Sequence, residues 1–171
     1  MEDKIKLILK KSRIVPTDKL RVIEIALTHA KTENLRMSEA DCYFELGKVH
    51  LEAKDVEKAL SQFYLAINIF EELTGRRNKK CVLANGMLAK CHVLKGDNEI
   101  GVKMLNEIQP NIEAVFGIVS IESAEGLKLA GGVRLSQGHV TKAYKKFISA
   151  QEIYTAINPK HKEVDFLIYF S

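Results

Sequence analysis

An all-α solenoid of antiparallel helix pairs is the fold the sequence predicts, and three observations predict it. The first is a period: Ala59, Gly101 and Ala143 stand 42 residues apart, as do Phe63, Leu105 and Phe147, and again Ala66, Ile108 and Ala150. A fixed period of about 20–50 residues marks a solenoid or a propeller. The second observation decides between them. Tyr43, Leu46, Gly47 and His50 fall at i, i+3, i+4 and i+7, and Val56, Ala59, Phe63, Ala66 and Phe70 share one face of a following helix, so each period holds two helices. The third is punctuation: three prolines and ten glycines in 171 residues are too few for many short strands and turns.

The elements follow in order. Residues 1–39 read as a degenerate first helix pair, with "KIKLILKK" as its first helix and "PTDKLRVIEIALTHAKTEN" as its second, Leu20, Ile23 and Ala26 facing inward. Residues 40–81, 82–123 and 124–160 read as three full units, the middle one degenerate. Lys54, Gly96 and Gly138 occupy one column between the two helices of a unit. Gly75 and Gly117 share the column after the second helix, where a left-handed C-terminal cap is expected, and Pro159 acts as a later helix stop. Ser38 with Asp41 resembles a capping box that opens one first helix. Pro110 falls inside the second helix of the middle unit, so a kink or break is expected between Glu107 and Asn111; a helix straight and continuous through 116 would put that unit's register in doubt. Residues 161–171 start a further first helix or form a cap. If unpaired, Phe166, Leu167, Ile168, Tyr169 and Phe170 would drive self-association.

One column carries a packing argument. Gly47, Ala89 and Gly131 are small where the two helices of a unit cross closely, and a ring such as Phe63 fills the neighbouring hole.

Composition removes several function classes. Apolar residues are 46% and charged residues 28% of the chain, a globular balance. A net charge of +4 falls short of the Lys/Arg stripe of a dedicated nucleic-acid binder. No stretch is long and apolar enough to span a membrane, and "MEDKIKLILKKSR" lacks the features of a secretory leader, so the expected setting is cytoplasmic. Cys42, Cys81 and Cys91 are odd in number and unpaired in spacing, which suits reduced, buried thiols. His50 and His92 recur at one position near Cys42 and Cys91, but adjacent Cys91 and His92 point to different helix faces and no Cys-x-x-Cys occurs, so no metal is expected. "GRRNKK" at 75–80 reads as a solvated inter-unit loop. "GLKLAGG" and "GGVRLSQG" lack the Gly-Lys-Ser/Thr of a phosphate loop, and no catalytic arrangement stands out, so neither an enzyme nor a cofactor is expected.

Aromatic, Leu, Gly, then Ala, Phe and Ala is the order met by Tyr43, Leu46, Gly47, Ala59, Phe63 and Ala66, and in part by Gly131, Ala143, Phe147 and Ala150. This pattern resembles the tetratricopeptide-repeat (TPR) family, and the long unit resembles the repeats of kinesin light chains rather than the usual period of about 34. The resemblance implies a right-handed superhelix that acts as a protein-protein adaptor. "EGLKLAGGVRLSQGHVTKAYKKFISAQEIY" is similar to the closing repeats of the ciliary tetratricopeptide repeat protein 23 group, which implies a scaffold at the cilium or cytoskeleton.

By that resemblance the inner curve of the array is the binding groove. The residues expected on it are Asp41, Phe44, Lys48 and Leu51, then Leu83, Gly86, Lys90 and Val93, then Glu125, Lys128, Gly132 and Leu135. An apolar row (Leu51, Val93, Leu135) beside three lysines suits an amphipathic helix or an extended peptide with an acidic residue. Where the family's carboxylate clamp pairs a Lys with an Asn, this chain has Phe44 with Lys48 and Lys128 with Gly132, so the pair is complete in neither, and the paired asparagines of kinesin light chains are reduced to Asn85 in "NGMLA". Neither peptide mode carries over. The alternative is a structural segment of a larger array with no groove ligand of its own.

Overall fold

The computed structural model describes residues 16–158, which form seven helices and no strand. They are α1 (Pro16–Thr32), α2 (Arg36–Glu52), α3 (Val56–Thr74), α4 (Lys79–Lys95), α5 (Asn98–Phe116), α6 (Ile121–Ser136) and α7 (Val140–Ile157). The expectations for "KIKLILKK", Pro159 and the segment 161–171 with its apolar Phe166 to Phe170 lie outside the described residues. The contacts divide the chain into two compact units, one up to Cys91 and one from His92, the division falling inside α4.

In the first unit α2 packs against both α1 and α3. It therefore buries two faces: Tyr43, Leu46 and Gly47, and with them Ala40, Cys42 and Val49. The closest approach is at Gly47, where a β-carbon would lie 2.7 Å from Cε1 of the fully buried Phe63 on α3. That ring meets Phe44 edge-on, 5.7 Å between centroids at 61°. On α1, Ile23 and Ala30 are buried, while Leu20 and Ala26 are half-buried. The second unit repeats the arrangement. α6 packs against α5 and α7, and a β-carbon on Gly131 would lie 2.8 Å from Cε1 of Phe147. Gln109 reaches from α5 to the buried Ser123, its Nε2 donating to Oγ at 2.8 Å, and so satisfies a hydroxyl that burial would otherwise penalise.

The helix ends show what the turn columns do. Lys54, Gly96 and Gly138 all have positive φ, at 62°, 98° and 77°. Lys54 alone among them carries a side chain into a backbone region that costs an L-residue about 1–2 kcal/mol. Lys54→Gly is accordingly expected to stabilise the protein by about 1 kcal/mol, read as a higher midpoint in chemical denaturation. Gly75 and Gly117 were expected as left-handed caps. Their φ is positive, but ψ is extended (77°/168° and 93°/155°), a region essentially reserved for glycine. Asp55 caps α3 by accepting from the Lys58 N–H at 3.2 Å, and its contacts with Lys58 hold its carboxyl below the ordinary range. Ser120 does the same for α6, accepting from the Ser123 N–H and donating to the Gly117 carbonyl.

Two local expectations are corrected. The Ser38–Asp41 box does not open α2, because the chain turns at Asn34 (φ 53°) and the helix starts at Arg36, placing Ser38 inside its first turn. Arg36 pairs with Glu39 there, at 3.0 Å, while Asp41 pairs with Lys80. Nor is there a break at Pro110: α5 runs unbroken from Asn98 to Phe116. Pro110 and Asn106, whose carbonyl loses its N–H partner to the proline, both lie on the exposed face of α5, and the buried Leu105, Ile108 and Ile112 anchor the helix on either side. Gly101, Leu105 and Ile108 are all buried on this continuous helix.

Candidate peptide-binding site

The predicted groove residues behave differently in the two units. In the first, both Asp41 and Lys48 are engaged by residues that lie off the stripe. Lys80 Nζ lies 2.6 and 2.7 Å from the two Asp41 oxygens and 5.8 Å above the Phe70 ring. Lys48 lies 3.0 Å from both Glu45 oxygens and 5.6 Å above the Phe44 ring. Leu51 and Leu83 are half-buried, Gly86 has open space where a β-carbon would be, and Lys90 is exposed.

In the second unit four of the five predicted residues come together. Val93, Lys128, Gly132 and Leu135 line one cleft of about 520 Å³, completed by Asn98, Leu129, Val133, Ser136 and Phe147. The walls come from the end of α4, the start of α5, the second half of α6 and Phe147 of α7. Phe147 is held there by its packing on Gly131, so the crossing that builds the helix pair also builds the cleft wall. Lys128 is exposed at this cleft and pairs with no acid among the described residues. Glu125, three residues before it, lies outside the cleft and accepts from the Tyr154 hydroxyl at 2.5 Å. Burial and that bond push the Tyr154 phenol well above its ordinary value. Beyond the cleft, Arg134 donates to Gln137 Oε1, and Gln137 Nε2 donates to Glu99 at 2.6 Å, tying the end of α6 to the start of α5.

Phe147 is not on the predicted stripe because its column assigns it to packing, and Asn98, Leu129, Val133 and Ser136 line the cleft without having been singled out in the sequence. Side chains at the edge of a packed face can serve both, and nothing in a helical period marks which will. His92 is buried, its Nδ1 3.3 Å from Asp97 Oδ2, and among the described residues no group of three or more His, Cys, Asp or Glu could hold a metal ion. No described helix is long and apolar enough to cross a membrane.

No family model matches the sequence, and no curated protein sequence matches it either. Among solved structures, BtubC (BKLC) from P. vanneervenii superimposes with a TM-score of 0.71 at 16% identity, over 81% of this chain and 56% of that one. The nearly identical TPR-like repeats of a candidate kinesin light chain from Podosopora anserina superimpose with a TM-score of 0.64 at 10% identity, over 84% of this chain and 69% of that one. A point variant of the latter gives 0.66 over the same shares of the two chains.

The fold is that of TPR-like helical repeats. The chain spans little more than half of the length of BtubC. These likenesses give no support to the ciliary tetratricopeptide repeat protein 23 group, and the ciliary role implied by that resemblance is dropped.

Proposed function

We propose that the protein is a non-enzymatic adaptor that seats a segment of a partner protein in the cleft of the second unit. The observation that supports this reading is the convergence on one cleft of Val93, Lys128, Gly132 and Leu135, the stripe that the family resemblance implies. Apolar walls with an exposed cation suit a segment that is apolar and acidic. The stripe of the first unit contributes less, because Asp41 and Lys48 already have partners within the chain. The setting we propose is the cytoplasm, which suits three free, buried cysteines; burial pushes the Cys42 and Cys91 thiols up to about 11.

Lys128→Glu is expected to remove cleft-bound partners from the proteins labelled by a proximity-labelling fusion in cells, with helicity unchanged by circular dichroism. An identical labelled set for wild type and variant would sink the groove reading.

One observation favours the structural alternative. Tyr144 on α7 is 54% exposed, whereas Leu60 at the equivalent place on α3 is 6% exposed. Phe147 is likewise half-buried where Phe63 is fully buried. A further helix laid on α7, as in a longer array, would cover these side chains.

A further inference from the structure

Gly131 and Gly132 are neighbours in the interior of α6, where each glycine weakens the helix relative to alanine. For Gly131 the fold supplies the reason: a β-carbon would strike the Phe147 ring. For Gly132 it supplies none. A β-carbon there would meet nothing within 4 Å, and the residue is exposed. What Gly132 does have is a place on the cleft wall between Lys128 and Ser136, facing the same space as Val93, Leu135 and Phe147. A helical glycine that internal packing does not require, at a concave surface, lets another molecule come down to the helix backbone.

Resting on the groove reading, we infer that Gly132 is the aperture of the cleft and sets its specificity: it admits one bulky apolar side chain of a peptide segment, whose adjacent carboxylate meets Lys128. Three features fix this chemistry. The volume of about 520 Å³ is room enough for a bulky side chain in an open cleft. Five of the lining residues, Val93, Leu129, Val133, Leu135 and Phe147, are apolar, with Asn98 and Ser136 as neutral polar groups at the cleft. Lys128 is the one charged residue that lines the cleft, since neither Arg134 nor Glu125 is among its lining residues. An acid on the partner is therefore drawn in, and a base is repelled.

The test is selection of a phage-displayed library of random twelve-residue peptides on the full chain, followed by titration of a recovered peptide as a fluorescent conjugate. Recovered sequences are expected to share a bulky apolar residue within two positions of Asp or Glu. Lys128→Glu and Gly132→Leu should each weaken binding about tenfold or more. Filling the aperture should not unfold the chain: Gly132→Ala is expected to raise the thermal midpoint by about 2–4 °C, and Gly132→Leu to melt no lower than wild type. Peptides that lose affinity to Lys128→Glu but ignore Gly132→Leu overturn the aperture and leave the groove reading standing. Peptides indifferent to both substitutions, or no recovered peptides, overturn the groove reading and the aperture with it.

Discussion

Phe63→Ala is expected to lower the stability of the protein by about 3–5 kcal/mol, read as a reduced midpoint in chemical denaturation. The ring is fully buried, meets Phe44 edge-on, and fills the space that Gly47 leaves open on α2. Removing it opens a cavity at the crossing of α2 and α3, and the gap cannot close by approach of the backbones, because the small residue is already on the facing helix. Phe147→Ala is expected to cost less. That ring is only half-buried and has Gly131 on one side and the cleft on the other.

Gly117→Ala is the second large effect, expected to cost about 1–3 kcal/mol by the same measurement. Space plays no part in it, since a β-carbon at Gly117 would meet nothing within 4 Å. The cost is conformational. With φ at 93° and ψ at 155° the residue ends α5, its N–H donating to the Glu113 carbonyl while the chain swings out towards Ser120, which caps α6. An alanine would either strain this backbone or unwind the last turn of α5. Gly75 ends α3 in the same way, and alanine there is expected to act alike.

Much of this fold was legible in the sequence because close helix crossings demand small residues, and small residues opposite rings leave a periodic trace. Gly47 with Phe63 and Gly131 with Phe147 are found where the 42-residue period puts them. Lys54, Gly96 and Gly138 likewise share a column in the sequence and a positive φ in the structure. What the pattern did not show was the second buried face of α2, with Ala40 and Val49 beside the expected Cys42, since a single apolar stripe is the signature of a helix with one neighbour and α2 has two. The helix runs on through Pro110 without a break because the proline lies on an exposed face, and the period does not show how well that face tolerates a lost hydrogen bond. The cleft was legible in Val93, Lys128, Gly132 and Leu135 but not in Phe147, whose role in packing hid its role as a wall. The ion pairs that occupy Asp41 and Lys48 were not foreseeable from the period, because Lys80 is 39 residues from Asp41 and Glu45 lies beside the stripe rather than on it.

The repeat register underlies both the fold and the cleft, and thermal unfolding of three single-glycine variants tests it most directly. In Gly47→Ala and Gly131→Ala the new methyl group strikes the Phe63 or Phe147 ring, so both are predicted to melt below wild type, by about 2–4 °C for each net kcal/mol lost. In Gly132→Ala the methyl group enters open space and the helix gains, so this variant is predicted to melt above wild type. Midpoints that rise for all three, or a Gly132→Ala that falls with the others, would contradict the register.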